Sequence, residues 1–147
     1  MKRKYLIEII SGLLILLFVY AAVTKLMEYN RFHLSVEKEP LIGSFANFIT
    51  WLVPAIELFI SYLLFRPETR KLGLKAAFSL MSVFTLYVAY ILLFVPIRPC
   101  GCGGVIQKLS WPQHLVFNIF FTVIALLGII LFDKPALRSY KHIVKPQ

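Results

Sequence analysis

The stretch 112-PQHLVFNIFFTVIALLGIILF-132 decides the fold: it holds 21 residues and no Asp, Glu, Lys or Arg. At 1.5 Å per residue, a helix of about 20 apolar residues crosses the ~30 Å hydrocarbon core of a bilayer. Pro112 suits the first helical turn, where a missing N–H leaves nothing unsatisfied, and Ser110 or Trp111 is the flanking cap. Three further runs of similar length precede it, about Tyr5 to Met27, Phe45 to Phe65 and Leu74 to Pro96. The expectation is an all-α, four-helix transmembrane bundle with helices at about 5–27, 45–65, 74–96 and 112–132, a single integral membrane domain over 1–147.

Composition agrees with that class. Hydrophobic residues make up 59% of the chain and charged residues 16%, against about 45–50% and about 25% in soluble proteins. The formal charge of +9 does not indicate nucleic acid, because the basic residues cluster at the ends of the apolar runs. The first run follows Lys2-Arg3-Lys4 as a signal peptide would. It is longer than the ~7–15 apolar residues of a signal peptide and leads to Thr24-Lys25-Leu26-Met27-Glu28 without a small-residue cleavage site, so it reads as a retained span.

Four crossings put both termini on one side of the membrane, and the Lys/Arg bias selects the side. Lys2, Arg3 and Lys4, the connection with Arg66, Arg70, Lys71 and Lys75, and the tail with Lys134, Arg138, Lys141 and Lys145 share one side. The opposite side carries fewer, Arg31 and Lys38 in the first connection and Arg98 and Lys108 in the third. Both termini are therefore expected in the cytoplasm. The connection of residues 97–111 is then exoplasmic.

That connection carries Arg98-Pro99-Cys100-Gly101-Cys102-Gly103-Gly104, with both cysteines of the chain spaced C-x-C. On the exoplasmic side thiols can cycle or stay oxidised. A bridge across one glycine departs from relaxed disulfide geometry, and strained, exposed bridges are the exchangeable ones. Arg98 and the first turn after Trp111 favour a thiolate. The preferred reading is a redox pair. Its rivals are a static bridge, which would constrain little chain entropy in so short a ring, two inert thiols, and metal binding with His114 and His33, for which C-x-C alone is a weak signal; no metal site is expected.

Two other places carry chemistry. Trp111, His114 and Asn118 share one helix face by their spacing of three and four. Trp111 reads as an interface anchor and His114 as a proton carrier for thiol exchange or a hydrogen bond to the loop. Asn118 reads chiefly as an amide that bonds across helices, with cofactor contact as the second role. Glu57 lies near mid-membrane in the second run, where a lone carboxylate costs several kcal/mol. Pro54 frees a carbonyl one turn before it and can open a polar pocket there. The preferred reading is a proton or quinone site, with a quinone as the one cofactor the residues admit; the other is a helix-packing carboxyl. Lys25 lies nearer the outer surface and reaches Glu57 only through helix tilt, leaving Tyr20, Tyr62, Tyr87, Tyr90 and Asn118 as the other candidate partners. His33 is expected on the surface.

Taken together, Pro54-x-x-Glu57, Cys100-Gly101-Cys102-Gly103-Gly104 and Trp111-x-x-His114-x-x-x-Asn118 resemble the MauE branch of the DoxX-like, redox-associated membrane proteins. The likeness spans about residues 5–132. It implies a bacterial inner-membrane protein of periplasmic thiol–disulfide chemistry, working with a thioredoxin-like periplasmic partner or a larger membrane complex. Such proteins support maturation of disulfide-rich enzymes such as methylamine dehydrogenase. Cys100 and Cys102 match the redox position, and His114 and Asn118 the polar motif. A single cysteine pair cannot complete a path to quinone in the usual two-pair manner, so a partner or a cofactor meeting Cys100 and Cys102 directly is required. The function expected is thus a thiol–disulfide exchange component, with Cys100, Cys102 and His114 catalytic and Glu57 and Asn118 at a cofactor. The alternatives are an accessory subunit whose bridged loop docks a periplasmic protein, and a metal- or small-molecule-handling bundle.

Overall fold

A computed structural model describes residues 2–95 and 110–133. Arg98, Cys100, Cys102 and Lys108, and the basic tail from Lys134, lie outside the described residues. Within them the chain is all-α, with no strand, and four helices are long and apolar enough to cross a membrane. These are α1 (Lys2–Met27), α3 (Ala46–Phe65), α4 (Arg70–Phe94) and α5 (Trp111–Asp133); a short α2 (Tyr29–Glu37) and a 3-10 turn (Gly43–Phe45) join α1 to α3.

The helices form a ring in which α1 packs on α3 and α5, and α4 packs on the same two from the other side. Leu14 and Phe18 of α1, Ile60 and Leu64 of α3, Leu74, Ala77 and Met81 of α4 and Ala125 of α5 make the core. Lipid tails are as apolar as these side chains, so helix association in a bilayer depends on close packing and cross-helix hydrogen bonds. Small residues accordingly line the seams: Ala21, Ala22, Gly73, Ala77, Ala125 and Gly128 are all buried. Thr85 and Thr122 join α4 to α5, hydroxyl to hydroxyl at 3.1 Å. Large apolar residues such as Leu16, Phe59, Leu86 and Phe120 face outward, as a lipid-facing surface requires.

One end of the bundle gathers the start of α1, the start of α4 and the end of α5. Arg3 Nε donates to the Leu131 carbonyl at 3.0 Å, and Lys71 pairs with Asp133. The tight α3–α4 turn closes the same end, where Thr69 Oγ1 and Arg70 Nε donate to the Leu63 and Leu64 carbonyls at 2.9 and 3.2 Å. These side chains satisfy carbonyls at the end of α3, where intrahelical donors run out. They also let α4 begin at Arg70, ahead of its apolar run.

The opposite end differs from the sequence expectation. The polar stretch after Met27 is not a plain connection: the helix breaks at Glu28 and resumes as α2. Phe32 and Val36, four residues apart on one face, are buried against Ala46. Arg31, Leu34 and Ser35 stay exposed or half-exposed. His33 is not merely a surface residue either, since its Nε2 lies 2.7 Å from Asn47 Oδ1 and ties α2 to α3. Tyr29 packs on Trp51 with ring centroids 5.5 Å apart, an aromatic pair where a membrane interface is expected.

Gly73 sets how closely α3 and α4 approach. A Cβ there would lie 2.8 Å from the Leu64 backbone nitrogen and 3.0 Å from the Leu63 carbonyl carbon, whereas one at Gly12 would meet nothing within 4 Å. Gly73→Ala is expected to lower stability by about 1–3 kcal/mol through overpacking. Gly12→Ala should be neutral or stabilising by up to about 1 kcal/mol through helix propensity. Reversible unfolding of both variants in detergent micelles measures the contrast, and equal effects would refute this packing argument.

Candidate functional site

A cavity of about 270 Å³ lies where α1, α3, α4 and α5 converge beneath α2. It is near the end that carries the finish of α4 and the start of α5, so the chain segment with Cys100 and Cys102 departs from and returns to this end. Phe18, Phe32, Phe84 and Phe117 supply aromatic walls, with Ile49 and Val53 between them. Lys25, Glu57, Tyr87, Trp111, His114 and Asn118 bring polar groups to the same space.

The central feature is an ion pair. Lys25 Nζ lies 2.8 Å from Glu57 Oε1, with the two side chains 12% and 1% exposed. Glu57 therefore is not a lone carboxylate, and Lys25 is its partner despite standing near the end of α1. The ammonium also approaches the Ala21 carbonyl at 3.4 Å and stands 5.8 Å from the Phe32 ring centroid, a favourable place for a cation over a π face. Burying two charges is tolerated when geometry is good and further hydrogen bonds complete each group. Lys25 meets that condition and Glu57 half meets it: among the described residues its Oε2 is buried without a hydrogen-bond partner.

Local sequence explains the placement of Glu57. Pro54, buried inside α3, has no N–H for the carbonyl of Thr50. Thr50 Oγ1 donates back to the Ala46 carbonyl at 2.6 Å and Ser61 Oγ to the Glu57 carbonyl at 2.9 Å. These hydroxyls thus bond within the helix and leave the carboxylate to Lys25.

At the start of α5, Ser110 N–H donates to Gln113 Oε1 at 2.9 Å and His114 N–H to the Ser110 carbonyl at 2.9 Å. The first bond is the side-chain half of a capping box, the N3 glutamine reaching back to the N-cap N–H, and the second is the first intrahelical bond of α5. Together they fix the first turn so that His114 lies beside Trp111, ring centroids 6.4 Å apart, on the cavity wall. Asn118 lines the cavity one turn deeper and is 4% exposed. Thr122, one turn further on, bonds its own helix at the Asn118 carbonyl and reaches Thr85 across to α4.

The structure therefore brings Glu57, His114 and Asn118 together, while Cys100 and Cys102 lie outside the described residues. It adds Lys25 and Phe32, which sequence reasoning left out of the site, and sets Glu39 behind Tyr87. A basic residue and an acidic one in two different apolar runs was the available signal for Lys25. Glu39, 6% exposed, hydrogen-bonds Tyr87 of α4. Gly43 N–H in turn donates to the Glu39 carbonyl at 2.9 Å, so the α2–α3 connection is clasped to a cavity-lining residue. Chemically, the site offers a ring-sized apolar space, one unsatisfied acceptor, an ammonium, an imidazole and an amide.

Comparison with protein families matches residues 3–131 to the family described as methylamine utilisation protein MauE. No curated protein and no solved structure matches the chain.

Burial raises the Glu39 carboxyl above its usual range, against the opposing hydrogen bond from Tyr87. The folded chain then holds this proton more tightly than the unfolded chain. The stabilisation is complete below the ordinary glutamate pKa of about 4.3 and is lost as pH rises through the raised folded value. Glu39→Gln removes that term. The unfolding midpoint of the variant should gain on that of the native chain as pH rises from about 4 to 7; a gap independent of pH would contradict the assignment.

Proposed function

The chain belongs to the MauE family, and on that premise we propose that this membrane protein is a component of thiol–disulfide exchange at the periplasmic face of a bacterial inner membrane. The observation that carries the reading is the place of the cavity, at the end of the bundle where α4 finishes and α5 begins. Cys100 and Cys102 fall between these two helices in the sequence, and His114 stands on the first turn of α5. The Lys/Arg-rich end, with Arg3, Arg70 and Lys71, is the opposite one, and such ends face the cytoplasm. On this reading both termini lie inside and the cysteines work in the oxidising compartment.

In the exchange, a thiolate of the Cys100–Cys102 pair attacks a disulfide of a thioredoxin-like partner and forms a mixed disulfide. The second cysteine displaces the partner's sulfur, leaving Cys100 and Cys102 bridged and the partner as a dithiol. Two electrons and two protons move to the partner, and the reverse sequence oxidises a partner dithiol. His114 takes the proton when the thiolate forms and returns it to the leaving sulfur. The maturing protein served by the pair is an exported one.

Alkylation mass shifts of Cys100 and Cys102 in purified membranes, followed across a dithiothreitol gradient, test the reading. A reversible midpoint between about −120 and −270 mV is expected, in the range of exchange catalysts. A bridge that resists reduction below about −300 mV is a structural one and would overturn the exchange mechanism. His114→Gln should leave the midpoint unchanged and slow exchange at neutral pH by about a hundredfold.

A further inference from the structure

From the cavity beside Lys25 and Glu57 we infer a binding site for the ring of a lipid-soluble quinol–quinone couple. Glu57 is 0% exposed, and its Oε2 has no hydrogen-bond partner among the described residues. An acceptor left bare in a nonpolar interior is costly, and a donor from a ligand offsets that cost. The cavity, about 270 Å³, approaches the ~300 Å³ at which ligand pockets begin and far exceeds the space of a single water.

Its walls specify the shape of the occupant. Phe18, Phe84 and Phe117 come from three different helices, and aromatic faces surround a planar ring better than a flexible chain. The polar groups specify its substituents. The hydroxyl of a quinol donates to Glu57 Oε2, and Asn118 or His114 on α5 serves the oxygen on the other side of the ring. The oxidised ring has no hydroxyl to donate, so the reduced form binds tighter. The choice of a quinone over other phenol-like rings rests on the exchange reading. Closing the Cys100–Cys102 bridge releases two electrons and two protons, the number that converts one quinone to its quinol.

The test uses the full chain in lipid nanodiscs and a short-tailed benzoquinone with its quinol as probes. Trp51→Phe removes the outward-facing tryptophan and leaves Trp111, on the cavity wall, as the only one. Saturable quenching of Trp111 by the quinone is expected, with the quinol competing at lower concentration. Ala21→Phe on α1 or Val53→Phe on α3, each filling the cavity, should abolish the saturable part. Either one suffices if its circular dichroism and elution match the parent. Glu57→Gln should weaken the quinol by about tenfold or more, and Cys100→Ser with Cys102→Ser should leave binding intact. Quenching that stays linear in probe and is equal in all variants would overturn the proposal, placing quinone in the lipid only and water or acyl chain in the cavity. Saturable binding alongside a structural, irreducible bridge would remove the exchange reading and keep the site; a reversible pair with linear quenching would do the converse.

Discussion

The buried contact between Lys25 and Glu57 is the interaction on which the arrangement of this bundle depends. Either charge alone near the middle of a bilayer is costly, so each holds the other in place. The pair fixes α1 against α3 at one depth and one rotation. It also draws Phe32 over the ammonium, which explains why the chain turns back at Glu28 into a short helix instead of running on through the interface. The aromatic space beneath α2 lies beside this pair, above the all-apolar core of Leu14, Leu64 and Leu74.

A second constraint comes from the solvent. Lipid gives little reward for burying leucine against leucine, and the two halves of the molecule meet the difficulty differently. Near the termini, Gly73 lets the backbones of α3 and α4 approach, Gly128 makes room for the Leu74 and Ile10 side chains, and Arg3, Thr69 and Arg70 satisfy helix-end carbonyls. At the other end polar contacts accumulate instead: Lys25 with Glu57, His33 with Asn47, Glu39 with Tyr87. The close-packed half is scaffold. The polar half adjoins the segment bearing Cys100 and Cys102, and it is there that both the exchange chemistry and the ring-binding site are assigned.

The four spans were legible because each is a run of about 20 apolar residues, and the family likeness rested on short polar motifs placed between and within them. The short helix α2 was not legible. Its average character is polar, only Phe32 and Val36 mark its inner face, and nine residues are too few for helix propensity to declare itself. Glu57, His114 and Asn118 were recognisable as costly residues in apolar runs, but nothing in their spacing showed that α3 and α5 bring them to one cavity. Lys25 was discounted because counting from the run ends puts it about one turn from the surface and Glu57 about three turns in. The fold nevertheless turns both side chains into one cavity, where Lys25 Nζ and Glu57 Oε1 meet at 2.8 Å. Glu39 was hidden in a stretch of charged residues, where only the fold distinguishes the one that is buried.

A double-mutant cycle between Lys25 and Glu57 tests this account most directly. Lys25→Met, Glu57→Gln and the double variant are compared with the native chain by reversible unfolding in a membrane mimetic. The account predicts a coupling above about 1 kcal/mol, beyond what exposed ion pairs provide, with the double variant more stable than the sum of the single losses implies. Losses that simply add, to within about 0.5 kcal/mol, would mean that the two charges do not hold each other, and the organisation of the cavity around them would have to be abandoned.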